Sequence, residues 1–381
     1  MKRLIALLLA LTMLAGCSAI GKPEPATSLD FAVNLFREAA QEGENTLISP
    51  LSVMTALAMT ANGSAGETLT QMEAVLGGRV EDLNKWLGRS FGENVKLANG
   101  IWLKEDDAFT PRQDFLDVVK RSYDAKIETA PFDDSTAKEI NDWVKKQTDG
   151  MIDGIVDEIP TKAVMYLVNA LAFDAQWENP YADYQVQEDV FTTENGEEEP
   201  VEMMYGTVSD YLRMENATGF LKWYEGDQYA FAALLPDEGV SVRELLDSLT
   251  GEELAQLLSN PEADVVQTAI PKFRTENNLE LSEPLKNLGV TSAFDQNMAD
   301  FSELGQYEGG NLNISRVLHR TFIEVCEQGT RAGAATAVEI ECGSDMVEPT
   351  TVYLDRPFAY MIVDMETHFP IFMGTCMEVN A

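Results

Sequence analysis

The sequence predicts an α+β fold in a single domain. Helical periodicity dominates its first half, strand-like runs dominate its second, and no Pro/Gly/Ser-rich linker interrupts residues 30 to 380. No repeat with a period of about 20 to 50 residues is present. With 381 residues, 45% of them hydrophobic, the chain is long enough to bury a substantial core.

The N-terminus reads as a targeting segment. Lys2 and Arg3 precede an apolar run from Leu4 to Leu14, which breaks at Ala15 and Gly16 just before Cys17. The run is shorter than the roughly 20 apolar residues needed to span a bilayer. Leu14-Ala15-Gly16-Cys17 resembles the bacterial lipobox, which implies a signal peptide over 1–16, cleavage before Cys17 and lipid on its thiol. The alternative is an ordinary cleaved signal ending near a chance cysteine. Residues 17–28, with two prolines and few large apolar groups, read as a flexible spacer, and the fold is expected to begin near Leu29. No later stretch is apolar enough to cross a membrane, so attachment is expected through lipid alone, outside the cytoplasm, on a cell surface or facing a periplasm.

Beyond the spacer, Asp30 is the expected cap of a helix carrying Phe31, Leu35, Phe36 and Ala39 on one face. A second helix follows Ser49-Pro50, with Val53, Leu57 and Met59 apolar. Thr136 and Glu139 have capping-box spacing ahead of Ile140, Trp143 and Val144. Val164 to Phe173 is nearly continuously apolar, with Asn169 interrupting, as in a strand covered on both faces. Phe191 to Glu197 reads as a hairpin around Asn195-Gly196, continued by Val201-Glu-Met-Met. Tyr229–Leu235, Val265–Phe273, Thr321–Val325 and Ala359–Val363 complete the strand-like runs.

Residues 330–342 stand apart. Thr330, Ala332, Ala334, Thr336, Val338, Ile340 and Cys342 alternate with Arg331, Gly333, Ala335, Ala337, Glu339 and Glu341, so every charge falls on one face. The alanines and the glycine make the first half slim. Yet the segment runs into Gly343-Ser344-Asp345 and on to Val347-Glu-Pro349, which reads as exposed loop.

The net charge of −37, from 64 acidic and 27 basic residues, argues against nucleic acid as a partner and is most simply a device for solubility. Without Cys17, three cysteines remain, at 326, 342 and 376, with neither the number nor the spacing of a disulfide scaffold or a metal site. No cofactor or metal is expected. His319, Cys326, Cys342 and several serines raise a Cys/Ser hydrolase as a remote alternative, but no Gly-x-Ser-x-Gly elbow or His-Glu-x-x-His helix is present.

Several stretches, in order along almost the whole chain, resemble the serpin family. They are Asn45–Ser52 with Ala56–Met59 and Gly63–Thr68; Ala98-Asn99 with Ile101-Trp102; Ile140–Val144 with Thr148–Gly150; and Leu167–Ala170 with Phe173 and Trp177. Ile270–Phe273, Leu288–Val290 and Ala299–Ser302 follow, then His319, Glu324-Val325, Glu327–Thr330, Asp355–Phe358 and Phe372–Gly374. The resemblance implies helices gathered around a large central β-sheet with smaller sheets, and a reactive-centre loop over about 328–350. It also implies an irreversible, suicide-type inhibitor that traps its protease in a covalent 1:1 complex. Insertion of the cleaved loop into the central sheet is a recognised instance of strand addition. At about 1 kcal/mol for each of about ten new hydrogen bonds, insertion would release on the order of 10 kcal/mol.

By the same resemblance the hinge comprises Glu327, Gly329, Thr330, Ala332, Gly333, Ala334, Ala335 and Thr336. Arg331 replaces the usual acidic residue but falls on the outward parity. Ser49, Ser52, Asn169 and His319 would gate the sheet, and Trp177 with the Lys272–Glu327 pair would mark the loop entrance. Counting from Glu327 puts the scissile bond after Gly343, and counting back from Pro357-Phe358 puts it near Met346, so Cys342, Gly343, Ser344 and Met346 are the candidates. Cleavage after Cys342 or Gly343 suits an elastase-like or subtilisin-like serine protease, with a cysteine protease as the further class; Met346 suits a chymotrypsin-like one. A non-inhibitory carrier or scaffold of the same fold is the alternative function, and a monomer is expected.

Overall fold

The computed structural model describes residues 25–105, 108–159, 163–330 and 349–379. Residues 1–16, read above as a signal peptide, Cys17, and the expected bait and hinge positions from Arg331 to Glu348 lie outside them.

Nine α-helices occur among the described residues: α1 (Pro25–Ala39), α2 (Pro50–Ala61), α3 (Gly66–Leu76), α4 (Val80–Leu87), α5 (Gln113–Tyr123), α6 (Asp134–Gln147), α7 (Val242–Ser248), α8 (Gly251–Ser259) and α9 (Ser282–Leu288). Helix α1 begins inside the expected spacer, because Pro25 suits a first turn where no backbone N–H is needed. Asp30 therefore lies within the helix instead of capping it, and its carboxylate accepts the Gly251 N–H at the start of α8 (3.0 Å). The cap of α6 is likewise Asp133, not Thr136. Its carboxylate accepts from Ser135 N at 2.9 Å, and Glu139, one turn further in, accepts from Trp102 Nε1 at 3.1 Å. At α2 the reading from sequence and the structure agree: Ser49 caps it and Pro50 opens it.

The largest sheet has nine strands: β1 (Leu47–Ile48), β7 (Val186–Thr192), β8 (Glu198–Arg213), β9 (Ala217–Trp223), β10 (Tyr229–Pro236), β11 (Glu262–Pro271), β16 (Thr350–Tyr353), β17 (Phe358–Asp364) and β18 (Phe369–Cys376). Its order is β1-β18-β17-β10-β9-β8-β11-β16, with β7 paired to β8 across the hairpin at Gly196, whose φ of 79° suits the turn. Strand β10 is buried along its whole length.

The sheet that holds Leu167–Trp177 is in two pieces. One is β4-β2-β5, comprising β4 (Lys126–Ala130), β2 (Val95–Lys104) and β5 (Met165–Phe173). The other is β12-β14-β15-β6, comprising β12 (Phe273–Glu280), β14 (Leu318–Cys326), β15 (Gly329–Thr330) and β6 (Ala175–Gln176). A small pair, β3 (Phe109–Pro111) with β13 (Gly305–Tyr307), lies apart. The run Val265–Phe273, read as one strand, is split at Lys272, where the chain leaves the nine-stranded sheet for the split one.

The main core fills the space between the nine-stranded sheet, the inner face of the split sheet and helices α1 and α2. A second cluster of Trp102, Ile140, Val144, Val168 and Ala170 packs α6 on the outer face of β2 and β5.

Candidate functional site: a seam between two strands

Strand β6 continues β5 with only Asp174 between them, yet the two belong to different pieces of the sheet. Strand β15 is antiparallel to β14 on one side and to β6 on the other, so β14 and the β5–β6 strand run parallel. Below β15, among the described residues, β5 pairs only with β2 and β14 only with β12, although β5 and β14 approach within 8 Å Cα–Cα. Two parallel strands with nothing laddered between them form a slot of the right polarity for one antiparallel strand.

The upper end of this seam is filled. Gly329 stands opposite Cys326 and Gln176, and Thr330 opposite Val325 and Ala175. Position 329 requires glycine: its φ is 153°, and a Cβ there would lie 2.1 Å from the Ala175 carbonyl oxygen. Thr330 is buried on the core side, with its hydroxyl 2.5 Å from Tyr224 Oη.

Trp177 holds the turn above. Its backbone N–H donates to the Gln328 carbonyl and its indole Nε1 to the Cys326 carbonyl, both at 2.9 Å, and its ring stacks on Tyr224 with centroids 4.5 Å apart. Tyr181 N donates to the Glu327 carbonyl at 2.9 Å. Lys272 Nζ pairs with Glu327 at 2.9 Å and Glu202 at 3.3 Å. Partial burial works against the Lys272 ammonium, but the two carboxylates outweigh it and hold its pKa above the usual lysine value.

Among the described residues, the lower end is bridged by His319, the first turn of α2 and Asn169, with no ladder between the strands. On β14, His319 Nε2 accepts the Ser49 N–H at 2.9 Å. Ser49 Oγ accepts the Ser52 N–H at 3.2 Å and donates to the Ile371 carbonyl at 2.7 Å. Ser52 Oγ donates to Asn169 Oδ1 on β5. Asn169 Nδ2 then donates to Asn99 on β2 at 2.6 Å, and Asn99 to the Tyr123 carbonyl at 2.8 Å. The N-terminus of α2 thus ties β14 to β5 across the seam. Burial pushes the His319 imidazole down to about 4, so it is neutral at pH 7, and accepting at Nε2 assigns its proton to Nδ1.

The outer face of the seam is covered by the segment after α6. Asn141 holds it through Ile155 N (2.9 Å), Val156 N (3.0 Å) and the Val156 carbonyl (2.7 Å), while Arg320 on β14 reaches the Gly154 carbonyl (3.0 Å).

The structure therefore brings Ser49, Ser52, Asn169 and His319 into one network, and gathers Trp177, Lys272, Glu327, Gly329 and Thr330 at the top of the same seam. Ala332, Gly333, Ala334, Ala335, Thr336 and the bond candidates Cys342, Gly343, Ser344 and Met346 lie outside the described residues. Asn99 was missed as a member of the network, although it stands in one of the stretches that carry the family resemblance. Nothing local could have flagged Tyr224, whose role depends on a strand packed beneath Trp177.

Neither histidine suits a hydrolase. His319 already accepts a backbone N–H, and His368 lies 3.1 Å from Ser259 Oγ, a hydroxyl committed to the Ala255 carbonyl at 2.6 Å.

Comparison with known proteins agrees with this geometry. The family model described as Serpin (serine protease inhibitor) matches residues 26–379. An uncharacterized serpin-like protein of Thermococcus kodakarensis is 31% identical, covering 91% of this chain and 84% of its own. Plasminogen activator inhibitor 1 of Sus scrofa is 30% identical, over 98% of each chain. The crystal structure of the thermophilic serpin tengpin in its native state superposes with a TM-score of 0.88 at 45% identity, covering 94% of this chain and 95% of that one.

Proposed function

Because this chain belongs to the serpin family, whose members are generally protease inhibitors, we propose that it traps a protease by offering residues 331–348 as bait and drawing the cleaved upstream part into the seam between β5 and β14. The observation that carries this reading is the pairing of β15 with β14 and β6 at once: Gly329 and Thr330, the two residues that lead into the bait, already stand in the slot.

Continuing that register gives the rest of the ladder. Ala332 would face Ile323 and Phe173, Ala334 would face Thr321 and Leu171, and Thr336 would arrive between His319 and Asn169. Directly paired residues share a face, and Phe173, Leu171, Ile323 and Thr321 are buried on the core side. The inward positions are then Thr330, Ala332, Ala334 and Thr336, all small, while Arg331 points outward. Insertion would also part the Ser49–Ser52 bridge from one or both strands, and Thr336 offers a hydroxyl at that level.

The target is a serine protease with a small or apolar specificity pocket, cleaving after Cys342 or Gly343, with Met346 the signature of a chymotrypsin-like enzyme instead. The protein works outside the cytoplasm, tethered by lipid at Cys17.

The test is to mix the mature domain with elastase-like, subtilisin-like, chymotrypsin-like and trypsin-like proteases and examine denaturing gels with intact mass. An adduct that survives denaturation, with a released C-terminal peptide beginning near residue 343, is the expected result. Clean cleavage by the panel without any adduct would instead favour a carrier or scaffold.

A further inference from the structure

Lys222, on β9, has no place in the mechanism above, yet it is buried, with 7% of its surface exposed. Its Nζ donates to the Asn179 carbonyl at 3.0 Å and lies over the rings of Tyr181 and Trp177, 4.4 and 5.2 Å from their centroids. The segment it touches, residues 177–181, is the strap that holds the turn at 326–328. One end carries Trp177, bonded to Cys326 and Gln328, and the other carries Tyr181 N, bonded to Glu327. A backbone hydrogen bond, Glu178 N to the Trp223 carbonyl at 3.0 Å, also ties the strap to β9.

We propose that Lys222 is a positioning residue for the loop entrance: it fastens the strap, and through the strap the root of the bait segment, in a way that couples release of the strap to uptake of a proton. Closing the strap takes the Lys222 amino group out of water, which penalises its charged form; opening returns it to solvent, where an ammonium is favoured.

Few charges on the surrounding elements oppose this. On the strap are Glu178 and the Tyr181 phenol. The facing residue of β10 is Phe231, Asp210 on β8 takes the Trp223 indole at 2.9 Å, and above stand Lys272 and Glu327, paired with each other. Burial brings the Lys222 pKa down to about 7, against a pull upward from Glu178. The two rings also favour the cation and help keep it from falling further.

The sign follows. Between the ordinary lysine value and about 7 the open strap binds a proton that the closed one does not, so opening becomes easier as pH falls through that range and levels off below about 7. Its meaning for inhibition rests on the function proposed above: a loosened root would delay insertion and let more bait be cleaved without trapping.

The strap itself can be tested without any protease. Hydrogen exchange of peptides covering 174–182, corrected for intrinsic rates, is measured from pH 6 to 9 in the wild-type protein, Lys222→Met and Lys222→Arg. Wild-type protection should fall roughly tenfold or more from pH 9 to 7 and flatten below, since one proton taken up gives up to tenfold per pH unit. Lys222→Met should be flat, and Lys222→Arg, charged throughout, should be poorly protected at every pH. Identical pH profiles for wild type and Lys222→Met would overturn the proposal, and those two proteins decide it even if the arginine variant fails to fold. Absence of an adduct in the protease panel, together with the expected strap profile, would count against the inhibitory function and leave the coupling of the strap to Lys222 standing.

Discussion

The two ends of the seam between β5 and β14 are held by different means. At the top, β15 supplies a backbone ladder on both sides, and Trp177, Tyr224 and the Lys272–Glu327 pair surround it. At the bottom, a relay from His319 through Ser49 and Ser52 to Asn169, made of side chains and the first N–H groups of α2, joins the same two strands with no strand between them among the described residues. A backbone ladder can be extended residue by residue, whereas a side-chain relay must be broken before a strand can replace it. The seam is thus primed at one end and gated at the other, and the two halves should respond differently to perturbation.

The largest expected effect comes from blocking extension of the ladder. Ala334→Glu would bring a carboxylate between Leu171 and Thr321 on the core side, at a cost of several kcal/mol. The protease should still cut the loop, but the denaturation-resistant adduct should disappear, while the melting temperature of the uncut protein stays close to wild type. An undiminished adduct would break the proposed register.

The gate should show itself next, through pH. Because the folded pKa of His319 is depressed to about 4 by burial, the unfolded chain takes up a proton near pH 6.5 that the folded one refuses. Stability from this group is complete above about 6.5 and is lost as pH falls toward 4, by about 3 kcal/mol at the limit. Denaturant unfolding of wild type and His319→Gln across that range isolates the effect from the many carboxylates, since only the wild type should show it.

Direct removal of one partner is expected to cost somewhat less. His319→Leu leaves the buried Ser49 N–H without its acceptor, a loss of about 2 kcal/mol in urea unfolding at pH 7.5. It should also speed conversion to a loop-inserted, inactive form on warming, because one side of the gate is already open. The smallest effect belongs to the other end: Lys272→Ala removes a partly exposed ion pair and should change stability by no more than about 1 kcal/mol. A Lys272→Ala loss larger than that of His319→Leu would reverse the contrast between the ends.

How much of this was legible in the sequence depends on distance along the chain. Local chemistry was readable: Ser49-Pro50 starts α2, Asn195-Gly196 turns the β7–β8 hairpin, and the apolar runs from Tyr229 and Ala359 are strands. Two local readings failed where better partners competed. Asp133 outcompeted Thr136 as a cap, and Asp30 turned to Gly251, far along the chain, after Pro25 had started the helix earlier. The site residues were identified through family resemblance, not through their own pattern; alternation in 330–342 showed a strand but not where it would go. The split of the sheet, the part played by Asn99 and the burial of Lys222 arise from tertiary neighbours, and no window of sequence contains them.

The most direct test of a seam waiting for its strand is to nick the loop with a protease that is not trapped, then compare thermal unfolding of intact and nicked protein. Ten new hydrogen bonds at about 1 kcal/mol each, at roughly 2 °C per kcal/mol for a chain of this size, place the expected rise near 20 °C. A nicked protein that melts where the intact one does would contradict insertion and with it the account of the seam.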